Sequence, residues 1–144
     1  MSDEVLLVGR KEYVAFPDWG IRRVRAKVDT GARSSALDVL GYDLWEVDGQ
    51  GLHVRLRLAL NRGRSDRYRV VEAPVTRMVA VRNSGGACEQ RPLIEATIRL
   101  GLVTRRIRLT VTDRAAMRYR MILGRQALRG KFVVDVSKKY VQGG

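Results

Sequence analysis

A chain of 144 residues fits one domain, and 45% apolar with 30% charged residues describes a folding sequence rather than a disordered one. Twenty-eight Lys and Arg, mostly arginine, against 15 Asp and Glu leave a net charge of +13, so an acidic partner is expected. One cysteine, Cys88, and one histidine, His53, exclude an internal disulfide and fall short of the ligand set of a structural or catalytic zinc site.

The first residues, MSDEVLLVGRKEY, place acids before a short apolar run and lack the basic start, long apolar core and cleavage site of a secretory signal. No run approaches the ~20 apolar residues of a membrane helix, so a cytoplasmic protein without a membrane partner is expected. The first clear element follows at Val24, Ala26 and Val28, inward, with Arg23, Arg25 and Lys27 outward: a half-buried strand. It runs straight into Asp29-Thr30-Gly31-Ala32-Arg33. Trp19 and Trp45 suit a core better than a cleft.

Turn signals at Asp48-Gly49 and Gly51 precede a second alternating strand, with Leu52, Val54, Leu56, Leu58 and Leu60 opposite His53, Arg55 and Arg57. Polar residues 61–67 and the Asn83-Ser84-Gly85-Gly86 run read as further turns. A third strand sets Ile94, Ala96, Ile98 and Leu100 against Glu95, Thr97 and Arg99. After Gly101, a fourth sets Ile107, Leu109 and Val111 against Arg106, Arg108 and Thr110. The clearest helix candidate is short, Gly124 to Gly130, bracketed by glycines. Many short strands with such punctuation predict an all-β barrel or sandwich.

Asp-Thr-Gly occurs once. A strand ending in this tripeptide can present a carboxylate at a barrel mouth, with Gly31 permitting close backbone approach and the Thr30 hydroxyl locking the turn. A strand-ending turn with no chemistry reads equally well from the tripeptide alone. Two such carboxylates brought together share a proton, so that one acts as base toward water while the other polarises a carbonyl.

Near the C-terminus Met121-Ile122-Leu123-Gly124-Arg125 leads into Gln126-Ala127-Leu128. Together with Asp29-Thr30-Gly31-Ala32 this order resembles the retropepsins, single-lobe aspartic proteases. Four blocks, KVDTGARSSAL, VRNSGGACEQRPLI, TDRAAMRYRMILGRQAL and FVVDVSKKY, extend the resemblance over nearly the whole chain to the retropepsin-like bacterial family labelled RimK-associated or ATP-dependent zinc proteases.

The resemblance implies one closed, mostly antiparallel acid-protease barrel over residues 1–144 with one short C-terminal helix. It implies catalytic Asp29, Thr30 and Gly31, a hydrophobic-Gly segment threaded behind that loop, and a flap with Asn83, Ser84, Gly85 and Gly86 at its tip. A single Asp-Thr-Gly then requires a homodimer that pairs two copies of Asp29. Family members usually carry His where this chain has Asp38. No metal and no cofactor are expected, for neither a zinc cage nor a nucleotide loop can be found.

Association with RimK-type ligases, which append glutamates to protein tails, implies an acidic, Glu-rich peptide substrate, and the net charge agrees. Ala32 and Arg33 join the flap residues and Arg125 as the expected substrate-binding set, because Arg33 stands where classical retropepsins carry the acid that pairs with the later arginine. Unpaired, Arg33 and Arg125 could both take carboxylates. The alternative pairs Arg125 with Asp38 or Asp135. Asp113 and Arg114 read as a turn-stabilising ion pair.

Two rival readings stay open. One is a non-catalytic peptide-binding module with the protease fold. The other is an RNA- or ribosome-binding protein whose outward arginines, with Arg62, Arg64, Arg67 and Arg69, form one basic face; 6% aromatic content and the lack of an RNA-recognition or KH signature argue against it.

Overall fold

The structure, a computed structural model, describes residues 4–61, 64–82, 85–113 and 119–143. In chain order these form β1 (Leu6–Val8), β2 (Lys11–Phe16), a 3-10 turn (Pro17–Trp19), β3 (Ile21–Val28), β4 (Ser35–Asp38), β5 (Gly41–Val47), β6 (Gly51–Asn61) and β7 (Arg64–Pro74). Then come β8 (Arg77–Arg82), β9 (Cys88–Leu100), β10 (Val103–Thr112), β11 (Met121–Leu123), α1 (Arg125–Leu128) and β12 (Phe132–Val134). The fold is all-β with one short helix. No helix among the described residues is long and apolar enough to cross a membrane.

The main sheet runs β10-β4-β11-β3-β2-β9-β8, and β9 also pairs with β10, so that six of its strands close a ring from which β8 extends as a hairpin arm. A second sheet, β5-β6-β7, folds from consecutive antiparallel hairpins, and β1 and β12 form a third, two-stranded one. Most ladders are antiparallel. The exceptions among the described residues, β1–β12, β4–β10 and β3–β11, are parallel and join segments far apart in sequence.

The four alternating segments are strands, and their apolar faces point inward: Val24, Ala26, Val54, Leu56, Leu58, Ile94, Ile98, Leu109 and Val111 are all buried in one cluster that links the ring with the β5–β7 sheet. Burial of this kind, worth ~2 kcal/mol for each large apolar side chain, holds the layers together. Three expectations are corrected. Strand structure runs to Asn61 and resumes at Arg64, so the polar stretch read as a turn mostly extends the β6–β7 hairpin. Thr110 is buried, because from Leu109 to Thr112 both faces of β10 are covered. The helix covers four residues, Arg125–Leu128, where two turns were expected.

Glu12 is fully buried, yet its carboxylate accepts three backbone hydrogen bonds, from the N–H groups of Gly9 (2.8 Å), Val141 (2.9 Å) and Gln142 (3.1 Å). A buried charge survives when its lone pairs are satisfied in this way. The result fastens residues 138–142 along β2, where Arg10 N donates to Lys138 O and Tyr140 N to Lys11 O.

Candidate active site

β11 lies between β3 and β4, pairing parallel with the first and antiparallel with the second. The segment from Asp29 to Ser34, which joins β3 to β4, must therefore cross the end of β11. Main-chain bonds fasten the crossing at every step: Asp29 N donates to Leu123 O (2.9 Å), Arg125 N to Ala32 O (2.8 Å) and Gln126 N to Arg33 O (3.1 Å). Gly124 N donates to the buried Ser35 Oγ (3.1 Å). Gly124 sits where the two segments touch. A methyl group on its Cα would fall on the Ser34 carbonyl and come within 2.9 Å of Ala32 O.

Inside the loop, Ala32 N donates to Asp29 O (3.1 Å) and Gly31 N to Asp29 Oδ1 (3.0 Å). That short turn leaves the Asp29 carboxylate partly exposed, with a single hydrogen bond to it among the described residues. Among the described residues the Thr30 hydroxyl has no hydrogen-bond partner. It is the Thr30 and Gly31 carbonyls that are held, by Arg125 Nη1 at 3.0 and 3.2 Å.

Asp29, Thr30, Gly31, Ala32, Arg33 and Arg125 are thus brought together. Arg33 is exposed, while the Arg125 guanidinium turns back onto the loop. Neither structural alternative for Arg125 is found: Asp38 faces Arg120 Nη1 at 3.6 Å, and Asp135 accepts from Ser137 N (2.9 Å) and Oγ (2.5 Å), bonds that hold its carboxyl below the usual range. Gly85 and Gly86 are exposed in the connection between β8 and β9, with Gly86 at φ 85°. Asn83 and Ser84 lie outside the described residues, as do Arg62 and Arg114.

Sequence reasoning missed two constellations. Asp38, noticed as a replacement for His and as a partner for Arg125 but not for Arg120, is fully buried at the end of β4 with the partly buried Arg120 beside it. On the turn side of the β8–β9 hairpin, Arg91 Nε bonds Glu89 Oε1 at 2.7 Å. Burial together with the nearby Asp113 and Glu89 charges pushes the Tyr42 hydroxyl above its ordinary pKa. No local pattern announces the Asp38–Arg120 pair or the approach of Tyr42 to Glu89, since in each the residues lie far apart in sequence.

A zinc ion does not fit the described residues. No three of their His, Cys, Asp and Glu side chains gather closely enough to hold a metal, and Asp38 has a guanidinium beside it. Cys88 is exposed on β9, and His53 Nδ1 lies 3.2 Å from the Gly51 carbonyl oxygen in the β5–β7 sheet.

Comparison with known proteins adds three findings. The chain is 32% identical over 145 residues to a probable alpha-L-glutamate ligase of Shewanella pealeana, covering 99% of this chain and 31% of that protein. It is 34% identical over 132 residues to a protein of the same name from Parasynechococcus marenigrum, covering 90% and 28%. The chain therefore spans about a third of the length of these curated relatives. The crystal structure of Lpg0085 from Legionella pneumophila, a protein described as of unknown function (DUF785), superposes with a TM-score of 0.78 over 96% of this chain and 99% of that one; at 23% identity it shows a shared fold. Residues 7–144 match the RimB-like family, described as retropepsin-like aspartic endopeptidase RimB, and with a threaded Asp-Thr-Gly loop on a strand ring the chain belongs to that family.

Proposed function

We propose that the protein is an aspartic peptidase of closed acid-protease barrel form that works as a homodimer, with Asp29 of each subunit meeting at a two-fold axis, and that it cuts acidic, Glu-rich peptide tails. The observation that carries this reading is the loop from Asp29 to Ser34, pinned by main-chain bonds to residues 123–126, which presents one carboxylate on a rigid frame. One carboxylate is half of an acid–base pair, so the second must come from another copy.

In the reaction, the ionised Asp29 takes a proton from water as that water attacks the scissile carbonyl carbon. The protonated Asp29 of the other subunit gives its proton to the carbonyl oxygen. The resulting diol then collapses as the first Asp29 passes its newly gained proton to the amide nitrogen, the second takes a proton from a diol hydroxyl, and the C–N bond breaks to give acid and amine. Two carboxyls this close titrate as one coupled pair, so the pH–rate profile is bell-shaped. Arg125 is a positioning residue here, holding the loop carbonyls. Exposed Arg33 faces the substrate and takes a side-chain carboxylate in bidentate fashion. Ala32 and the hairpin turn around Gly85 and Gly86 complete the binding surface.

The substrate class rests on two supports. The net charge of +13 favours an acidic chain. The curated relatives bear the name of glutamate ligases, and a hydrolase sharing sequence with a glutamate-adding enzyme is well placed to act on its product.

The test is mass spectrometry of products from wild type and Asp29→Asn, incubated with Glu-rich peptides and a mixed peptide library from acidic to neutral pH with chelator present. The expected outcome is chelator-resistant cleavage of Glu-rich chains that falls about 10⁴-fold in the variant. Binding of peptides without any Asp29-dependent product would replace the enzyme by a peptide-binding module. A chain that stays monomeric while it cuts would overturn the paired-carboxylate mechanism.

A further inference from the structure

Among the described residues, several outward arginines have acidic partners. On the β6–β7 ladder Arg55 stands opposite Glu72 and pairs with it at 2.8 Å, and Arg57 reaches Asp43 of β5 at 3.9 Å. On β9–β10, Arg108 stands opposite Glu95, which also lies near Arg106. These ladders set acids where cross-strand attraction uses them.

The outer face of β2–β3 does the reverse. Lys11 stands directly opposite Lys27, a like-charge pair that works against an antiparallel ladder, and Arg99 of β9 stands opposite Ala15. Among the described residues, none of Lys11, Arg22, Arg23, Arg25, Lys27 or Arg99 has a carboxylate within ion-pair distance.

Tyrosine rings take the place of acids. Arg23 Cζ lies 4.0 Å from the centroid of the Tyr13 ring, and Tyr140 stacks on the same ring at 4.5 Å and 16°. Both groups pack on the Tyr13 ring, and the three form one stacked column. Arg25 Nε donates to Tyr140 Oη at 2.8 Å, and its guanidinium stands 5.0 Å from the Tyr119 ring. Tyr140 is held at φ 52°, alone among the described non-glycine residues in the left-handed region, a conformation that bulky side chains seldom adopt. The fold accepts that conformation and sets the ring on Tyr13. Beside the column opens a cleft of about 320 Å³ lined by Tyr13, Arg22, Arg99 and Gln142 among others.

We propose that this face binds single-stranded nucleic acid. Phosphates run along Lys11, Lys27, Arg22 and Arg99 and neutralise charge that the protein itself leaves uncompensated. Unpaired bases stack on the two ends of the Arg23–Tyr13–Tyr140 column, which accepts any base because each has a flat face. A Glu-rich peptide would supply the negative charge but no aromatic ring to stack, so the column favours the nucleic acid. The surface works independently of the chemistry at Asp29.

The test is fluorescence anisotropy of the full chain with a short labelled single-stranded RNA, an abasic oligonucleotide of equal length, and an unlabelled Glu-rich peptide as competitor, over a range of salt. The expected result is RNA binding that weakens steeply with salt, about tenfold weaker binding of the abasic chain, and no displacement by peptide of equal charge. Lys27→Glu turns a repulsive cross-strand pair into an attractive one, so it should raise thermal stability while weakening RNA binding about tenfold. Arg106→Glu, on the β10 face, should change binding less than twofold. Absence of RNA binding, equal binding of the abasic chain, displacement by the peptide, or indifference to Lys27→Glu would each overturn the proposal.

Discussion

At the end of β11, Gly124 is buried and an added methyl group would strike the Ser34 carbonyl, whereas at the β5–β6 turn Gly49 and Gly51 stand in open space at φ 74° and 80°. The first glycine is there for what lies against it, the second and third for the angle they adopt. The lesson concerns how the two regions are made. The hairpin turn is a local solution, written in dihedral angles and reached by neighbours in sequence. The Asp29 loop is a long-range solution, in which Gly124 and Ser34, distant in sequence, approach so closely that no side chain fits between them.

Four substitutions test that contrast, taken from the largest expected effect. Gly124→Ala should cost about 3 kcal/mol by denaturant unfolding and take peptidase activity with it, because a backbone carbonyl cannot step aside as a flexible side chain can. Asp38→Ala, on the far side of the loop, should cost about 2 kcal/mol, since Arg120 would keep a partly buried charge without its neighbour. Removing the exposed Arg125 side chain with Arg125→Ala should cost about 1 kcal/mol in stability but lower kcat more than it raises KM, as expected of a group that holds the loop rather than the substrate. Gly49→Ala should cost about 1 kcal/mol or less, all of it from the left-handed backbone angle, and leave activity untouched. A cost at Gly49 equal to that at Gly124 would erase the distinction.

Legibility in the sequence followed the same divide. β3, β6, β9 and β10 announced themselves through two-residue alternation because each buries one face against a shared core. β4, β11 and β12 are three or four residues long, too short to show a period, and their parallel partners lie far along the chain. The Asp29 loop and its hydrophobic-Gly partner were found through resemblance rather than periodicity. Arg125 could be picked out by type, but its turn onto the Thr30 and Gly31 carbonyls depends on a threading that no local pattern encodes. The Arg23–Tyr13–Tyr140 column was hidden for a similar reason: its rings come from opposite ends of the chain and meet only because Glu12 ties the C-terminal segment along β2.

The bonds that fasten the Asp29 loop to residues 123–126 run mainly between main-chain atoms, namely those of Asp29 with Leu123, Ala32 with Arg125, and Arg33 with Gln126. Every amino acid but proline carries these same groups. The side chains at positions 30 and 33, both exposed, are therefore ornaments on a frame that does not depend on them. A lineage built on this loop could exchange those residues one at a time, trying new preferences at the cleft while the carboxylate beneath stayed in register.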